Sequence, residues 1–407
     1  MALQSSDLPH PSPPSASANA SLIRQLNRSA VLDLLRQRSP ISPSEISRRL
    51  SMSMPTVMRI LEELQCTGLV YRLENQEDSG GRPRSLMAFN ALGHAVIGLD
   101  LGGTKMYGTI ADLSGNIQAE VVYPSVPFRP QENLEIVCRM IERLLRAPLA
   151  QGQKVLGIGV GAPGVTLSEQ GIVTWAPSLG WRNFALRDFL EERFGLPVQV
   201  ENDVNLAALG EFGFGAAKGA SSLVCLAVGT GIGSGIVIDR KIYRGFHQSA
   251  GEVGYLPPSP AALGKRYERF GALESLASGT GIETRAREYL LEHGLQQAAE
   301  DITAEKVFSA ARAGEAWAQE IVNETVDYLA MVIAAISVVL DPEVIVLGGG
   351  VSRSADILVE PILHRLEGVL PAAVQLVVST LDYRAAVMGA IMLVLDIATQ
   401  HVALKTH

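Results

Sequence analysis

The feature that most constrains this chain is a pattern that occurs twice. An apolar run, His94 to Asp100, enters the turn Leu101-Gly102-Gly103-Thr104, continues as Lys105 to Ala111, and turns again at Leu113-Ser114-Gly115-Asn116. Further on, Leu223 to Val228 enters Gly229-Thr230-Gly231, Gly233 to Ile238 follows, and Asp239-Arg240-Lys241 closes the unit. Short apolar runs bounded by glycine turns read as β-hairpins. Helical stretches follow each copy, and so does a further strand such as Val344 to Leu347. A hairpin repeated in this way predicts a duplicated α/β body with a cleft between two lobes.

At 407 residues the chain is too long for a single core,. Its texture changes twice. Residues 1–20 are rich in Ser, Pro and Ala with few large apolar side chains, so burial cannot offset the entropy of ordering them, and a disordered tail is expected,. Residues 21–90 carry three short helical patterns. Val31, Leu34 and Leu35 mark one apolar face. Ile46 and Leu50 follow Ser42-Pro43-Ser44-Glu45, a capping box with proline at the first helical position,. Val57, Ile60, Leu61 and Leu64 follow Ser53 at helical spacing, and Gly68 stops that helix,. Leu69 to Leu73 and Ser85 to Phe89 then read as two strands joined by a polar loop containing Gly80-Gly81-Arg82-Pro83-Arg84,. Helix, helix-turn-helix and strand pair make a winged helix-turn-helix, whose third helix can enter the major groove of duplex DNA. Pro55, Thr56 and Arg59 at the start of that helix, with Arg82 and Arg84 of the wing, are the expected DNA contacts. Residues 91–407 are the two-lobed body.

The net charge of −8 argues against a chain that coats nucleic acid with its whole surface,. The charge is unevenly placed, however: from Ser21 to Asn90 there are ten Arg against seven acidic residues, and the first lysine is Lys105. Arginine suits bidentate and minor-groove contacts. Cys66, Cys138 and Cys225 lie far apart without metal-ligand or disulfide spacing, which fits a reducing cytoplasm,. No charged segment followed by an apolar one opens the chain, so no secretory signal is expected,. The apolar run Tyr328 to Leu340 ends at Asp341-Pro342, is too short to span a bilayer, and reads as a buried helix; no membrane partner is expected,.

Chemistry concentrates in the body. Glycine turns let backbone N–H groups approach phosphate oxygens, and a nearby Asp can hold hydrated Mg²⁺. Asp100, Gly102, Gly103, Thr104 and Lys105 supply the first such set, Gly229, Thr230 and Gly231 the second, and Gly349 within Gly348-Gly349-Gly350 a backbone floor for a nucleoside. The other candidate segment is Glu201-Asn202-Asp203, which either carries chemistry or simply closes the strand Val198 to Val200 and caps the next helix,.

Six segments together make the body resemble the ROK family of repressors, open reading frames and sugar kinases, and the whole chain its NagC/XylR-type regulators. They are Gly98-Leu-Asp-Leu-Gly-Gly-Thr-Lys105, Gly159-Val-Gly-Ala-Pro-Gly164, Glu201-Asn-Asp-Val-Asn205, Gly229-Thr-Gly-Ile-Gly233, Gly251-Glu-Val-Gly254 and Leu273-Glu274. The resemblance implies an actin-like, hexokinase-like fold in which Asn202, Asp203, Glu252 and Glu274 bind sugar hydroxyls. It also implies that Asp203 is the base in any kinase reaction, taking the proton from the attacking hydroxyl. The chain departs from the family at its zinc site. Relatives carry a His after Gly-Glu-x-Gly and three Cys in a short loop; here those positions hold Tyr255, Lys265, Tyr267 and Ala272, so no zinc is expected,. Tyr255 can offer the sugar a hydroxyl in place of the missing His, and Ser178 stands where relatives often have Asn.

The function expected from these features is a DNA-binding transcription regulator, a repressor of carbohydrate genes, that reads a palindromic operator as a homodimer or higher oligomer and senses a small sugar in its cleft. The alternative is an ATP-dependent sugar kinase with an accessory head. Regulation requires no cofactor, and the glycine turns leave room for Mg-ATP. Kinases of the family begin near the strand equivalent to His94, so the head favours the regulator.

Overall fold

The structure, a computed structural model, describes residues 16–74, 85–147, 153–267 and 271–401. It divides into two units, Met1–His94 with Leu395–His407, and Ala95–Val394. In the first, α1 (Ala16–Arg38) is a 23-residue helix, longer than its short apolar pattern indicated. Residues 16–20, expected in a disordered tail, are helical, and residues 1–15 lie outside the described set. Val31, Leu32 and Leu35 of α1 are buried. Ser42 caps α2 (Pro43–Arg49), its Oγ accepting from the Glu45 N–H at 3.3 Å. Glu45 does not complete a reciprocal box, since its carboxylate accepts from Arg49 at 2.8 Å. Ser53 caps α3 (Met54–Cys66), which buries Val57, Ile60, Leu61 and Leu64. Gly68, at φ +74°, ends α3 while the Leu69 N–H donates to the Leu64 carbonyl at 3.1 Å, a Schellman closure,. The wing is β1 (Val70–Glu74) antiparallel to β2 (Ser85–Phe89).

In the second unit, lobe I is built on β3 (His94–Leu101), β4 (Lys105–Asp112), β5 (Ile117–Pro124), β6 (Lys154–Ala162) and β10 (Val198–Asn202), in the order β10-β6-β3-β4-β5. Helix α4 (Pro130–Leu145) covers this sheet. A small sheet of β7 (Val165–Leu167), β8 (Ile172–Ala176) and β9 (Trp181–Ala185) precedes α5 (Leu186–Phe194). Helix α6 (Asp203–Gly213) leads into lobe II, whose sheet is β13-β12-β11-β14-β15: β11 (Leu223–Val228), β12 (Ile232–Ile238), β13 (Lys241–Ile242), β14 (Val344–Gly348) and β15 (Leu376–Val378). The two orders are the same once β3 is matched with β11 and β6 with β14. The repeated hairpin therefore marks a genuine structural duplication. Each sheet has its own core, around Leu99, Ile110 and Val160 in lobe I and around Leu226, Ile333 and Leu347 in lobe II.

Lobe II carries α7 (Glu274–Ala277), α8 (Gly279–Glu292), α9 (Gln296–Glu300), α10 (Ala304–Arg312), α11 (Ala316–Leu340) and α12 (Val359–Leu366). The run read as a short buried helix is the second half of the 25-residue α11, which by length and composition alone could cross a membrane. It is a core helix instead, with Ile321, Leu329 and Ile333 inside, although Met331, Val338 and Val339 face outward.

Two helices cross between the lobes, α6 and α13 (Ala385–His401). A Cβ on Gly210 of α6 would lie 2.0 Å from the Ala385 carbonyl oxygen, and one on Gly389 of α13 would lie 1.9 Å from that of Leu206. The helices thus touch backbone to backbone, which only glycine permits at these two points. Helix α6 packs on lobe II at Gly235, and α13 packs on lobe I at Gly98 and Gly159.

Candidate functional site

The head presents one face of α3 to solvent. Pro55 and Arg59 are exposed there, as are Met54 and Met58, each 41% accessible. Thr56 is half-buried, and its hydroxyl shares a 2.8 Å hydrogen bond with Ser53 Oγ, so it serves the helix start as well as the face. Arg82 and Arg84 lie outside the described residues. One Arg of the basic set drops out of the DNA argument: Arg28 is 2% exposed and pairs with Glu63 at 2.8 Å, tying α1 to α3. Met58 was not singled out from the sequence; it lies three residues on from Pro55, on the same exposed side of α3,.

In the body, the end of β10 and the start of α6 set the central residues. Asn202 caps α6, its Oδ1 accepting from the N–H groups of Val204 (2.9 Å) and Asn205 (3.0 Å) while its Nδ2 donates to the Gly164 carbonyl at 3.0 Å. The capping role thus holds, in a half-buried position rather than a surface turn, and it leaves one amide hydrogen for a ligand. Asp203 is the first residue of α6, and its Oδ1 accepts from the Val204 N–H at 2.9 Å. Burial pushes its carboxyl up to about 7, with the charges of Asp100 and then Glu252 adding to the rise. Asp100, at the end of β3, is pushed by burial to about 6, with Lys105 opposing. Burial and Glu274 raise Glu252, while burial raises Glu274 against a hydrogen bond from Ile232. Partial burial of its ring and then the charges of Glu252 and Glu274 raise the Tyr255 hydroxyl, although 66% of the residue's surface is accessible. Asp100, Asp203, Glu252, Glu274 and Tyr255, scattered over 175 residues of sequence, therefore belong to one electrostatic neighbourhood.

The glycine turns adjoin it. Ser125 Oγ donates to the Gly102 carbonyl at 2.6 Å, and Ser178 packs where a Cβ on Gly103 would stand. Thr104 and Lys105 are exposed, and the Lys105 ammonium sits 5.3 Å from the centre of the Tyr383 ring. In the second turn the Gly229 N–H donates to the Gly231 carbonyl at 2.8 Å, and the Gly229 carbonyl accepts from the Gly279 N–H at 2.7 Å, fixing the turn to the start of α8; Thr230 is exposed. The Glu274 carboxylate fills the space beside Gly231 and accepts from the Ile232 N–H at 3.0 Å. Gly349 has φ +82°, and a Cβ on the neighbouring Gly350 would meet nothing. Open backbone at 229 and 350 and a carboxyl at Asp100 fit a Mg-nucleotide. Tyr255, Lys265, Tyr267 and Ala272 do not fit zinc, which needs thiolate, imidazole or carboxylate ligands. Among the described residues no group of three or more His, Cys, Asp and Glu is placed to hold a metal ion.

Glu201, named in the candidate segment, was given no role of its own. It is 1% exposed and pairs at 2.7 Å with Arg244, a partner 43 residues away that no local pattern reveals.

The duplicated sheet and the capped head place the chain in the class of two-lobed, sugar-kinase-like proteins that carry a winged-helix domain. The ROK family profile matches residues 96–397, and the MarR family profile matches residues 26–79. The chain belongs to the ROK family. It is 30% identical over 389 residues to the Escherichia coli DNA-binding transcriptional dual regulator NagC, covering 92% of this chain and 94% of NagC. A crystal structure of a ROK family transcriptional regulator, a homolog of the E. coli MLC protein, superposes with a TM-score of 0.82 at 28% identity, covering 94% of this chain and 98% of that one. A ROK glucokinase from Streptomyces griseus, solved with glucose and AMPPNP, superposes with a TM-score of 0.63 at 29% identity, covering 74% of this chain and 98% of that one.

Proposed function

We propose that this protein is a sugar-responsive DNA-binding repressor of carbohydrate metabolism. The observation that carries the reading is that one chain has both a capped, outward-facing α3 and four electrostatically coupled carboxyls, Asp100, Asp203, Glu252 and Glu274, with the half-free Asn202 carboxamide next to Asp203. Pro55, Thr56, Arg59, Arg82 and Arg84 contact the operator; Asn202, Asp203, Glu252, Glu274 and Tyr255 hold the sugar hydroxyls, which match carboxylates and carboxamides as donors and acceptors. A palindromic operator calls for a homodimer, and the work is done in the cytoplasm. Genomic fragments selected by the full-length protein, then titrated with a panel of monosaccharides without nucleotide, test this. Release of DNA by at least one free sugar is the expected result.

A kinase reading retains one specific support, the Asp203 carboxyl held near neutrality, where a general base works best,. Asp100, Gly102, Gly103, Thr104, Lys105, Gly229, Thr230, Gly231 and Gly349 would hold Mg-ATP, which when bound supplies a transferable phosphoryl group. Asp203 would accept the proton of the sugar hydroxyl. Release of DNA only when Mg-ATP accompanies the sugar would favour this reading over direct sensing.

A further inference from the structure

The two halves of the proposed sugar set come from different lobes, Asn202 and Asp203 from the junction of β10 and α6 and Glu252 from the loop after β13. One buried carboxylate connects them. Among the described residues, Glu201 Oε1 accepts from neutral donors on its own side: Ser168 Oγ at 2.9 Å, Asn205 Nδ2 at 3.0 Å and the Asn202 N–H at 3.0 Å. Its Oε2 faces lobe II, where Arg244 Nε and Nη2 reach it at 2.8 and 2.7 Å. Four residues on, Gln248 Oε1 accepts from the Ser168 N–H at 2.7 Å. The loop that carries these anchors is closed on itself, with the Ala250 N–H donating to the Arg244 carbonyl at 3.0 Å. It then returns to its own lobe, the Gly251 carbonyl accepting from Ser234 N–H and Oγ at 2.7 and 3.0 Å, one residue before Glu252.

We propose that Arg244 and Gln248 are positioning residues that latch lobe II onto Glu201 and Ser168 of lobe I, and so set Glu252 against Asn202 and Asp203. This rests on the cleft being the sugar site. Separating the lobes would exchange a two-point guanidinium–carboxylate contact at Glu201 Oε2 for water, so the ion pair favours the observed arrangement,. Arg244 keeps 30% of its side-chain surface accessible, so the guanidinium can return to water and the latch can open. Neither residue needs to touch the sugar to set its affinity.

The test uses the full chain with Arg244→Met, Arg244→Lys, Gln248→Ala, Glu201→Gln and the Glu201→Gln/Arg244→Met double variant. Hydrogen exchange without ligand should quicken in residues 166–170 and 244–252 of Arg244→Met while α11 exchanges as in the wild type. With glucose as the probe, Arg244→Met should bind at least about tenfold more weakly, the equivalent of about 1.4 kcal/mol. Arg244→Lys should recover part of the loss, and the double variant should be no worse than either single one. If wild-type protein does not bind glucose, the sugar reading fails for that probe and exchange alone decides the latch. Unchanged exchange in both segments of Arg244→Met and of Gln248→Ala would overturn it, as would additive losses in the double variant.

Discussion

Asp203→Asn should make the ligand-free body more stable at alkaline pH. The Asp203 carboxyl rises from 3.8 to about 7 through burial beside Asp100 and Glu252. A carboxyl whose folded pKa lies above its unfolded one stabilises the fold at low pH, and that stability is lost as pH climbs from about 4 to about 7, because the unfolded chain ionises more readily. Each unit is worth about 1.4 kcal/mol, so ionising Asp203 in the fold costs about 4 kcal/mol by pH 8. Asp100 shares that burden, its own carboxyl being raised to about 6. Asparagine keeps the acceptor that the Val204 N–H uses and carries no charge, so it should recover about 2 to 4 kcal/mol, or about 5 °C in Tm for a body of this size. Scanning calorimetry at pH 5, 6, 7 and 8 should show the gap between variant and wild type widening with pH. A gap that is flat across the series, or a variant less stable at pH 8, would refute the argument that burial and mutual repulsion hold this carboxyl near neutrality.

Other substitutions probe other parts. Glu252→Ala should leave operator binding intact but weaken the effective sugar by about five- to 150-fold, the range for an unpaired buried polar group, measured by titrating DNA release. Arg59→Ala should lower DNA affinity and reduce the log–log salt slope by about one, read by fluorescence anisotropy between 50 and 200 mM salt. Gly389→Val should destabilise the body by about 3 kcal/mol or more in urea titration, since no rearrangement short of parting two backbones makes room. Elemental analysis of purified protein should find well under one zinc per chain, and chelator should leave its Tm unchanged.

Elements whose boundaries are set by their own residues were legible. Ser42, Ser53 and Gly68 determine helix ends through side chains and φ angles that act within four residues, and β3, β4, β11 and β12 fall within a residue or two of their apolar runs. Helix α1 was misjudged because the Ala-Ser stretch at 16–20 lacks bulk but not helix propensity, and alanine needs no burial to be helical. Helix α11 was cut short because Glu320, Glu324 and Asp327 interrupt its apolar run on the side away from the core, a pattern that periodicity shows and run-counting hides. The carboxyl cluster was nameable through family motifs, yet its raised pKa values depend on which charges the fold brings together. Arg28 shows the same gap from the other side: nothing near it in sequence says that Glu63 will claim it. The pairing of Glu201 with Arg244 was out of reach for that reason too.

The crossing of α6 and α13 at Gly210 and Gly389 has a consequence for how such a protein can diverge. The contact at those two points is backbone on backbone, with Leu206, Ala386 and Ala390 packed beside it. It also admits no substitution. Substitution meets less resistance away from that contact, as at the exposed Tyr255 and at Ser178 beside Gly103. A chain can therefore exchange residues at such positions while the backbone-to-backbone crossing of α6 and α13 stays fixed.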